Sequence, residues 1–455
     1  MLRWLYSCLM WLAQPLLRRK LARRALQEPG YGHAIDERFG RYAQPLAPHD
    51  GPTVWIHAVS LGETRAAAVL VAALRCQTPS MRLLLTHGTA TGRAEGLKLL
   101  QAGDLQAWQP WDTPGAVQRF LTHFKPHLGV LMETEVWPNL VVGCQQAGVP
   151  LVLANARLSD KSLRQAQRLA WLARPAFATL TAVWAQTPAD AQRLQSLGAK
   201  VQGVLGNLKF DATPDAHQVA LGRAWRARLD RPVVMFASSR EGEELALLQI
   251  LKENEPLAQS KQAQLAMNSI ANEVQWLIVP RHPQRFDAVA ELVTRHGFAL
   301  QRRSAWGQNG PSLVYEGTVG SQAGAQPIIW LGDSLGEMAL YYGLSDVALL
   351  GGSFEPLGGQ NLIEAAACAC PVVMGPHTFN FAQAAEQALA AGAAQRVEDL
   401  VQAVNLVKEL PLGNTAWQTT QQAANHFAQS HQGAAARLAA ALTALLSDFP
   451  RGNHG

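Results

Sequence analysis

From Pro52 onward one arrangement of apolar and polar positions recurs along the chain. A short β-branched or apolar run leads into a turn of Gly, Ser, Thr or Asp, and a longer stretch with helical periodicity follows. In the first half these runs are TVWIHAVS, MRLLLTHGT, HLGVLMET, VPLVLANARL and AVWAQTP, and in the second PVVMFASS, VQWLIVPRHP, PIIWLGDS, VALLGGS and PVVMGP. Strands alternating with helices in this way predict βαβ units and an α/β fold with parallel sheets. Between the two series lies KVQGVLGNLKFDATPDAH, where a last strand of the first series gives way to Pro214 and small polar residues, the mark of an interdomain linker. Two doubly wound, Rossmann-like domains are therefore expected, 25–210 and 211–455, facing one another across a cleft, with the last helix packing back on the first. Ligands of such sheets sit outside the carboxyl ends of the strands, so each turn after a strand is a candidate site. Glu255–Asn272 and Trp306–Gln326 lack periodicity and read as inserted surface loops.

Length agrees with this division, since 455 residues exceed what one growing core accommodates. The five cysteines, at positions 8, 76, 144, 368 and 370, form no CxxC pair and no zinc spacing. They suit a reducing compartment, with Cys368 and Cys370 read as small buried residues. Charge changes the picture more. The net charge is +5, yet Arg3, Arg18, Arg19, Lys20, Arg23 and Arg24 all precede the first acid, Glu28. The remainder is close to neutral, which argues against nucleic acid as a partner and confines the basic character to the N-terminus.

That N-terminus, residues 1–24, carries an apolar stretch from Trp4 to Leu17. As a helix it spans roughly 21 Å, against about 30 Å for a bilayer core. The short span, the cationic flank and Trp4, Tyr6 and Trp11 predict an interfacial membrane helix on an anionic leaflet. A single-pass anchor and a plain core helix are the alternatives.

Several strand-end turns carry groups with chemical potential. HAVSLGE puts Glu63 in the first turn of a helix, as a general base or as a simple helix cap. At about 4.3, the reference pKa of a glutamate leaves it ionised at neutral pH, able to act as base without a large shift. THGTATGRAEG offers Gly88 and Gly92 as a weak phosphate loop, with a tight strand-to-helix turn as the simpler reading. METEVWPNL places Glu133 and Glu135 together, but the chain has no DxD, so a metal-free mechanism without cofactors is expected. Lys209 in GNLKFD, the hydroxyl-rich start Ser238–Glu244, and Arg281 with His282 supply cations and donors suited to a leaving phosphate. In GDSLGE and GGSFEPLGGQNLIEAAA, glycines let backbone N–H groups approach anionic oxygens, and Glu364 lies one turn after Asn361, either on a ribose or capping with it.

Taken in order, HAVSLGE, TxTG, ETEVWPN, NARLS, GNLKFD, EGEE, PRHP, GDSLGE, GGS, the stretch Asn361–Glu364 and GPHTFNF resemble the Kdo (3-deoxy-D-manno-octulosonic acid) transferases, GT-B glycosyltransferases of lipopolysaccharide synthesis. The resemblance implies inverting, metal-independent transfer of Kdo from CMP-Kdo to a tetra-acylated lipid A precursor, by an enzyme at the cytoplasmic face of the inner membrane. It implies Glu63 as general base, with Glu133 and Lys209 steadying the transition state. It places CMP contacts at Pro280 and Arg281, at Leu335, Gly336 and Glu337, and at Asn361, Leu362, Ile363 and Glu364. This chain departs from the family's usual GGHNPLEPAA by carrying Gln360, Leu362 and Ala365 at the His and Pro positions.

Overall fold

In the computed structural model, residues 2–253, 274–311, 327–410, 412 and 415–447 are described. The expected loop Glu255–Asn272, and Trp306–Gln326 from residue 312 on, lie outside them. The chain forms two compact units, Met1–Ala212 with His431–Gly455, and Thr213–Ser430.

Each unit is built on a parallel seven-stranded sheet. In the first unit the strands are β1 (Thr53–His57), β2 (Arg82–His87), β3 (Leu105–Trp108), β4 (Leu128–Met132), β5 (Leu151–Ala156), β6 (Ala182–Ala185) and β7 (Val201–Val204), in the order β3-β2-β1-β4-β5-β6-β7. In the second they are β8 (Val233–Ser239), β9 (Gln275–Pro280), β10 (Ala299–Arg302), β11 (Ile328–Leu331), β12 (Val347–Leu350), β13 (Val372–Met374) and β14 (Ala394–Arg396), in the order β10-β11-β9-β8-β12-β13-β14. The central strands β1, β4, β8, β9 and β12 are sealed on both faces by helices, which is why they are almost wholly apolar. In the first sheet the strand order reverses between β1 and β4, and in the second between β8 and β12. A parallel sheet opens its ligand crevice at such a reversal.

The C-terminal helix Ala434–Ser447 belongs to the first unit. Its Ala434, Ala435, Leu438, Ala439 and Leu442 enter the core beneath β1 and β4, and the Asp211 carboxylate accepts from Gly433 N and Ala435 N at its start.

The N-terminal segment is two consecutive helices, α1 (Leu2–Leu12) and α2 (Gln14–Gln27), broken where Pro15 enters the first turn of the second. They are tied to the first unit on one side only. Tyr6 donates to Asp112 (2.9 Å), Ser7 to Asn139 (3.0 Å), Leu21 is buried, and Arg18 stacks on Phe39. The opposite side carries Trp4, Leu5, Leu9, Trp11, Leu12 and Leu16, with Trp4 68% and Trp11 66% exposed. Among the described residues no helix is long and apolar enough to cross a membrane.

Candidate active site

Glu63 sits where the sheet of the first unit changes direction. Ser60 caps α3 (Leu61–Gln77) by accepting from Glu63 N, and the Glu63 carboxylate reaches back to Val59 N (2.8 Å) and the Ser60 hydroxyl (3.1 Å). The capping arrangement that the spacing suggested is thus present. It does not compete with proton transfer, because the four lone-pair sites of a carboxylate leave room for a further hydroxyl donor. The expectation that no large shift is involved is corrected. Burial, reinforced by the charges of Glu133 and Glu135, pushes the Glu63 carboxyl up to about 7, against the pull of its two hydrogen bonds.

Glu133 follows β4, on the other side of the same reversal. Its backbone is left-handed (φ 59°) and its side chain is buried, a costly conformation held by Glu133 N donating to Ala154 O and Arg157 N donating back to Glu133 O. The carboxylate accepts from Arg157 Nε at 2.7 Å and lies 3.9 Å from Lys209 Nζ. Lys209 is set by its neighbours, since Asn207 caps its short 3-10 turn and Leu208 N donates to the buried Asn155 Oδ1 at the end of β5. Glu63, Glu133 and Lys209 therefore gather in one unit around one strand reversal. Glu135 is separately engaged by Trp137 Nε1 (2.9 Å), and burial raises its carboxyl. Among the described residues no three His, Cys, Asp or Glu side chains come together as a metal site, and cations already meet the charge of Glu133. Arg157 and Asn155 belong to NARLS, whose spacing points to no partner for either. Only the fold of β5 against β4 brings them to Glu133 and to the Lys209 turn.

The loop after β2 is the tight turn rather than a phosphate cradle. Gly88 N and Thr89 N both donate to Val59 O, and Thr89 caps its helix by accepting from Gly92 N.

In the second unit the remaining candidates lie at strand ends around the β8/β12 reversal. Pro280 and Arg281 end β9, Leu335, Gly336 and Glu337 form the turn after β11, and Asn361, Leu362, Ile363 and Glu364 open the helix Leu362–Ala367 after β12. The glycine-rich turn differs from its expected role. Gly351 N donates to Ala237 O, Gly352 N to the Glu243 carboxylate (2.8 and 2.9 Å), and Gly359 N to Gly352 O, so these N–H groups hold the turn together instead of pointing at a ligand. Glycine is required at 351 because a Cβ there would collide with the Ser238 carbonyl.

Two acids with no role read from sequence organise this end of the sheet. Glu243 grips Gly352 N and Arg240 N, and the fully buried Glu244 takes a bidentate contact from Arg285 and a hydrogen bond from Ser239. Arg281 Nε donates to Gln360 (3.1 Å), so the residue that departs from the family pattern joins the β9 end to the β12 loop. The Glu337 carboxylate is taken by Arg303 (2.8 Å) and by the Ser334 hydroxyl. Asn361 caps by accepting from Ile363 N.

Two parallel doubly wound sheets with polar groups gathered at the strand reversals define the class, an α/β protein with a GT-B-like fold. The fold is similar to that of a glycosyltransferase from Rickettsia africae ESF-5 (TM-score 0.53, 13% identity, 89% of this chain and 100% of that one). It is equally close to UDP-GlcNAc 2-epimerase from Neisseria meningitidis bound to UDP-GlcNAc (TM-score 0.52, 12% identity, 87% and 100%). Residues 33–212 match the family of 3-deoxy-D-manno-octulosonic-acid transferase (kdotransferase). The chain is 44% identical to the 3-deoxy-D-manno-octulosonic acid transferase of Bordetella pertussis over 436 residues, 94% of this chain and 96% of the relative. It is 32% identical to that of Haemophilus influenzae over 387 residues, 84% of each. The chain belongs to the Kdo transferases, a glycosyltransferase family of lipopolysaccharide synthesis.

Proposed function

We propose that the chain moves Kdo from CMP-Kdo to a tetra-acylated lipid A precursor, with inversion, working at the cytoplasmic face of the inner membrane. The observation that carries the chemistry is a carboxyl at Glu63 poised near neutrality beside Glu133 and Lys209. A base is most effective when its pKa lies close to the working pH. Glu63 takes the proton of the acceptor hydroxyl as that oxygen attacks the anomeric carbon of Kdo, and the bond from that carbon to the CMP phosphate breaks. Glu133, strained and held by two cations, keeps Lys209 oriented toward developing negative charge. The unit containing 25–210 binds the acceptor, and the unit that follows binds CMP through Pro280, Arg281, Leu335, Gly336, Glu337 and Asn361–Glu364. With its side chain committed to Arg303 and Ser334, Glu337 meets the nucleotide through its backbone. The test is mass spectrometry of the lipid A precursor incubated with CMP-Kdo. Addition of Kdo is expected, and UDP-N-acetylglucosamine should give no product; the reverse outcome refutes this reading.

The same proposal places α1 and α2 on the lipid surface. The exposed Trp4, Leu9 and Trp11 form an apolar side, and Arg19, Lys20, Arg23 and Arg24 line a groove of about 430 Å3 on α2. Apolar insertion and attraction to anionic headgroups add, each basic residue near the surface contributing about 1 kcal/mol. Deleting residues 1–24 would also strip Tyr6 from the buried Asp112, so point substitution is the cleaner experiment. Replacing Arg19, Lys20, Arg23 and Arg24 by Glu should abolish sedimentation with phosphatidylglycerol vesicles at moderate salt. Sedimentation equal to that of the unsubstituted protein would refute the surface attachment.

A further inference from the structure

The Glu63 carboxylate is held by one particular peptide group, the one joining Ala58 to Val59 just after β1, whose N–H donates to it at 2.8 Å. The carbonyl of that same peptide is taken by a side chain. His87, fully buried at the end of β2, places its Nδ1 3.0 Å from Ala58 O, and its Nε2 lies 3.1 Å from Gln106 Nε2 on β3. These two neighbours fix independently which ring nitrogen carries the proton. A carbonyl oxygen only accepts, so Nδ1 is protonated to meet Ala58 O. Gln106 Nε2 also donates to Arg93 O (2.8 Å), which identifies it as the amide nitrogen, so its other hydrogen meets His87 Nε2 as an acceptor. Both requirements select the same neutral tautomer.

The surroundings keep the ring in that state. Burial, with the charge of Arg93, lowers the His87 imidazole to about 4 against the pull of its Ala58 contact, and the buried His57 on the neighbouring strand β1 is held neutral in the same way. The seat of the ring is built. Gly96, in the helix Ala90–Leu97, leaves room for it, since a Cβ there would collide with His87 Nε2. The next peptide is fixed too, because Val59 O accepts from Gly88 N, Thr89 N and the Thr89 hydroxyl. Thr64, next to Glu63, sends its hydroxyl to Ser60 O (2.8 Å) and lies 3.4 Å from His87 Nδ1. With no exposed surface, His87 acts through this loop and not on a substrate.

A hydrogen bond accepted at a peptide oxygen polarises the N–H of the same peptide and makes it a stronger donor. A stronger donor to a carboxylate favours its ionised form. We propose that His87 is a positioning residue for Glu63, donating from Nδ1 to Ala58 O and so fixing the Ala58–Val59 peptide with its N–H on the Glu63 carboxylate. Without that support the Glu63 carboxyl would lie above its value of about 7. That the residue so positioned is a base rests on the function proposed above.

His87→Asn keeps a donor at the Nδ1 position, whereas His87→Gln reaches the Nε2 position and leaves Ala58 O without one. In His87→Gln the rising limb of the rate against pH should move up by roughly half to one pH unit, the worth of about one hydrogen bond. At pH 7 that lowers kcat about two- to five-fold with both KM values unchanged, and the deficit closes by about pH 9. His87→Asn should leave the limb where it stands. A deficit of equal size at every pH, or one as large in His87→Asn as in His87→Gln, overturns the proposal. The ring 15N shifts test it in the unsubstituted protein, where a neutral His87 protonated at Nδ1 is expected between about pH 6 and 8 and protonation at Nε2 overturns it. The Glu63 carboxyl is followed without turnover by 13C NMR of glutamate-labelled protein, assigned through Glu63→Gln. It should titrate higher in His87→Gln, and an unchanged titration counts against the proposal. If the protein moves no Kdo, or Glu63→Gln stays fully active, the reading of Glu63 as base fails by itself, and the carboxyl titration still decides the role of His87.

Discussion

Replacing Glu63 by Gln is expected to lower the transfer rate by about 10²–10⁴-fold, the usual contribution of a positioned base, while binding of CMP is retained. Gln can still accept from Val59 N, so the start of α3 keeps its cap and the protein stays folded. The pH dependence gives the sharper reading. The base works only when ionised, and with its carboxyl pushed up to about 7 the rate should climb as pH rises through that value instead of lying flat from pH 5. Since the Glu133 charge contributes to the upward push, Glu133→Gln should move this limb to lower pH in whatever activity it retains. Stability runs the other way. A folded pKa above the unfolded one gives a contribution that is fully present below about pH 4.5 and is lost as pH rises through 7. Glu63→Gln should therefore melt higher than the unsubstituted protein at pH 8, by an amount on the order of 2 kcal/mol at most, and the difference should vanish near pH 4. Full activity in Glu63→Gln, or a pH profile flat across 5–8, would remove Glu63 as the base.

Lys209→Met is expected to lower kcat by about 10²–10³-fold with little change in either KM, because a charge that meets the transition state contributes little to ground-state binding. The fold around it supports a clean experiment. The backbone of the Lys209 turn is held by Asn207 and Asn155, not by the lysine side chain, and Glu133 keeps its contact from Arg157. The melting temperature should thus stay within a few degrees. A variant that binds both substrates poorly but turns over at the normal rate would assign Lys209 to ground-state binding instead.

Much of this architecture is legible from residue order, for a local reason. A central strand buried on both faces must be apolar along its length, so β1, β4, β8, β9 and β12 announce themselves, and the turn chemistry after each marks the strand end. The strands that the sequence leaves unread are β3 (LQAW), β10 (ALQR) and β14 (AQR), each at the edge of its sheet. Edge strands are short and partly polar because one side stays open to water, and nothing in four residues separates them from a loop. The capping spacing Ser60–Glu63 is equally local and is visible in the sequence.

The sequence by itself determined the parallel α/β class, the two-unit division and the family, and it offered Glu63, Glu133 and Lys209 as candidates. Tertiary structure alone decided the state of those groups. The carboxyl of Glu63 rises because the fold buries it near Glu133 and Glu135, residues about 70 positions away in the chain. The glycine-rich turn spends its N–H groups on Ala237, Glu243 and Gly352, since the approach of β8 to β12 places those acceptors first. Arg38 and Trp111 line one pocket only because the 3-10 turn Ile35–Phe39 packs against the end of β3. Burial and charge proximity depend on distances in space, which no spacing along the chain encodes.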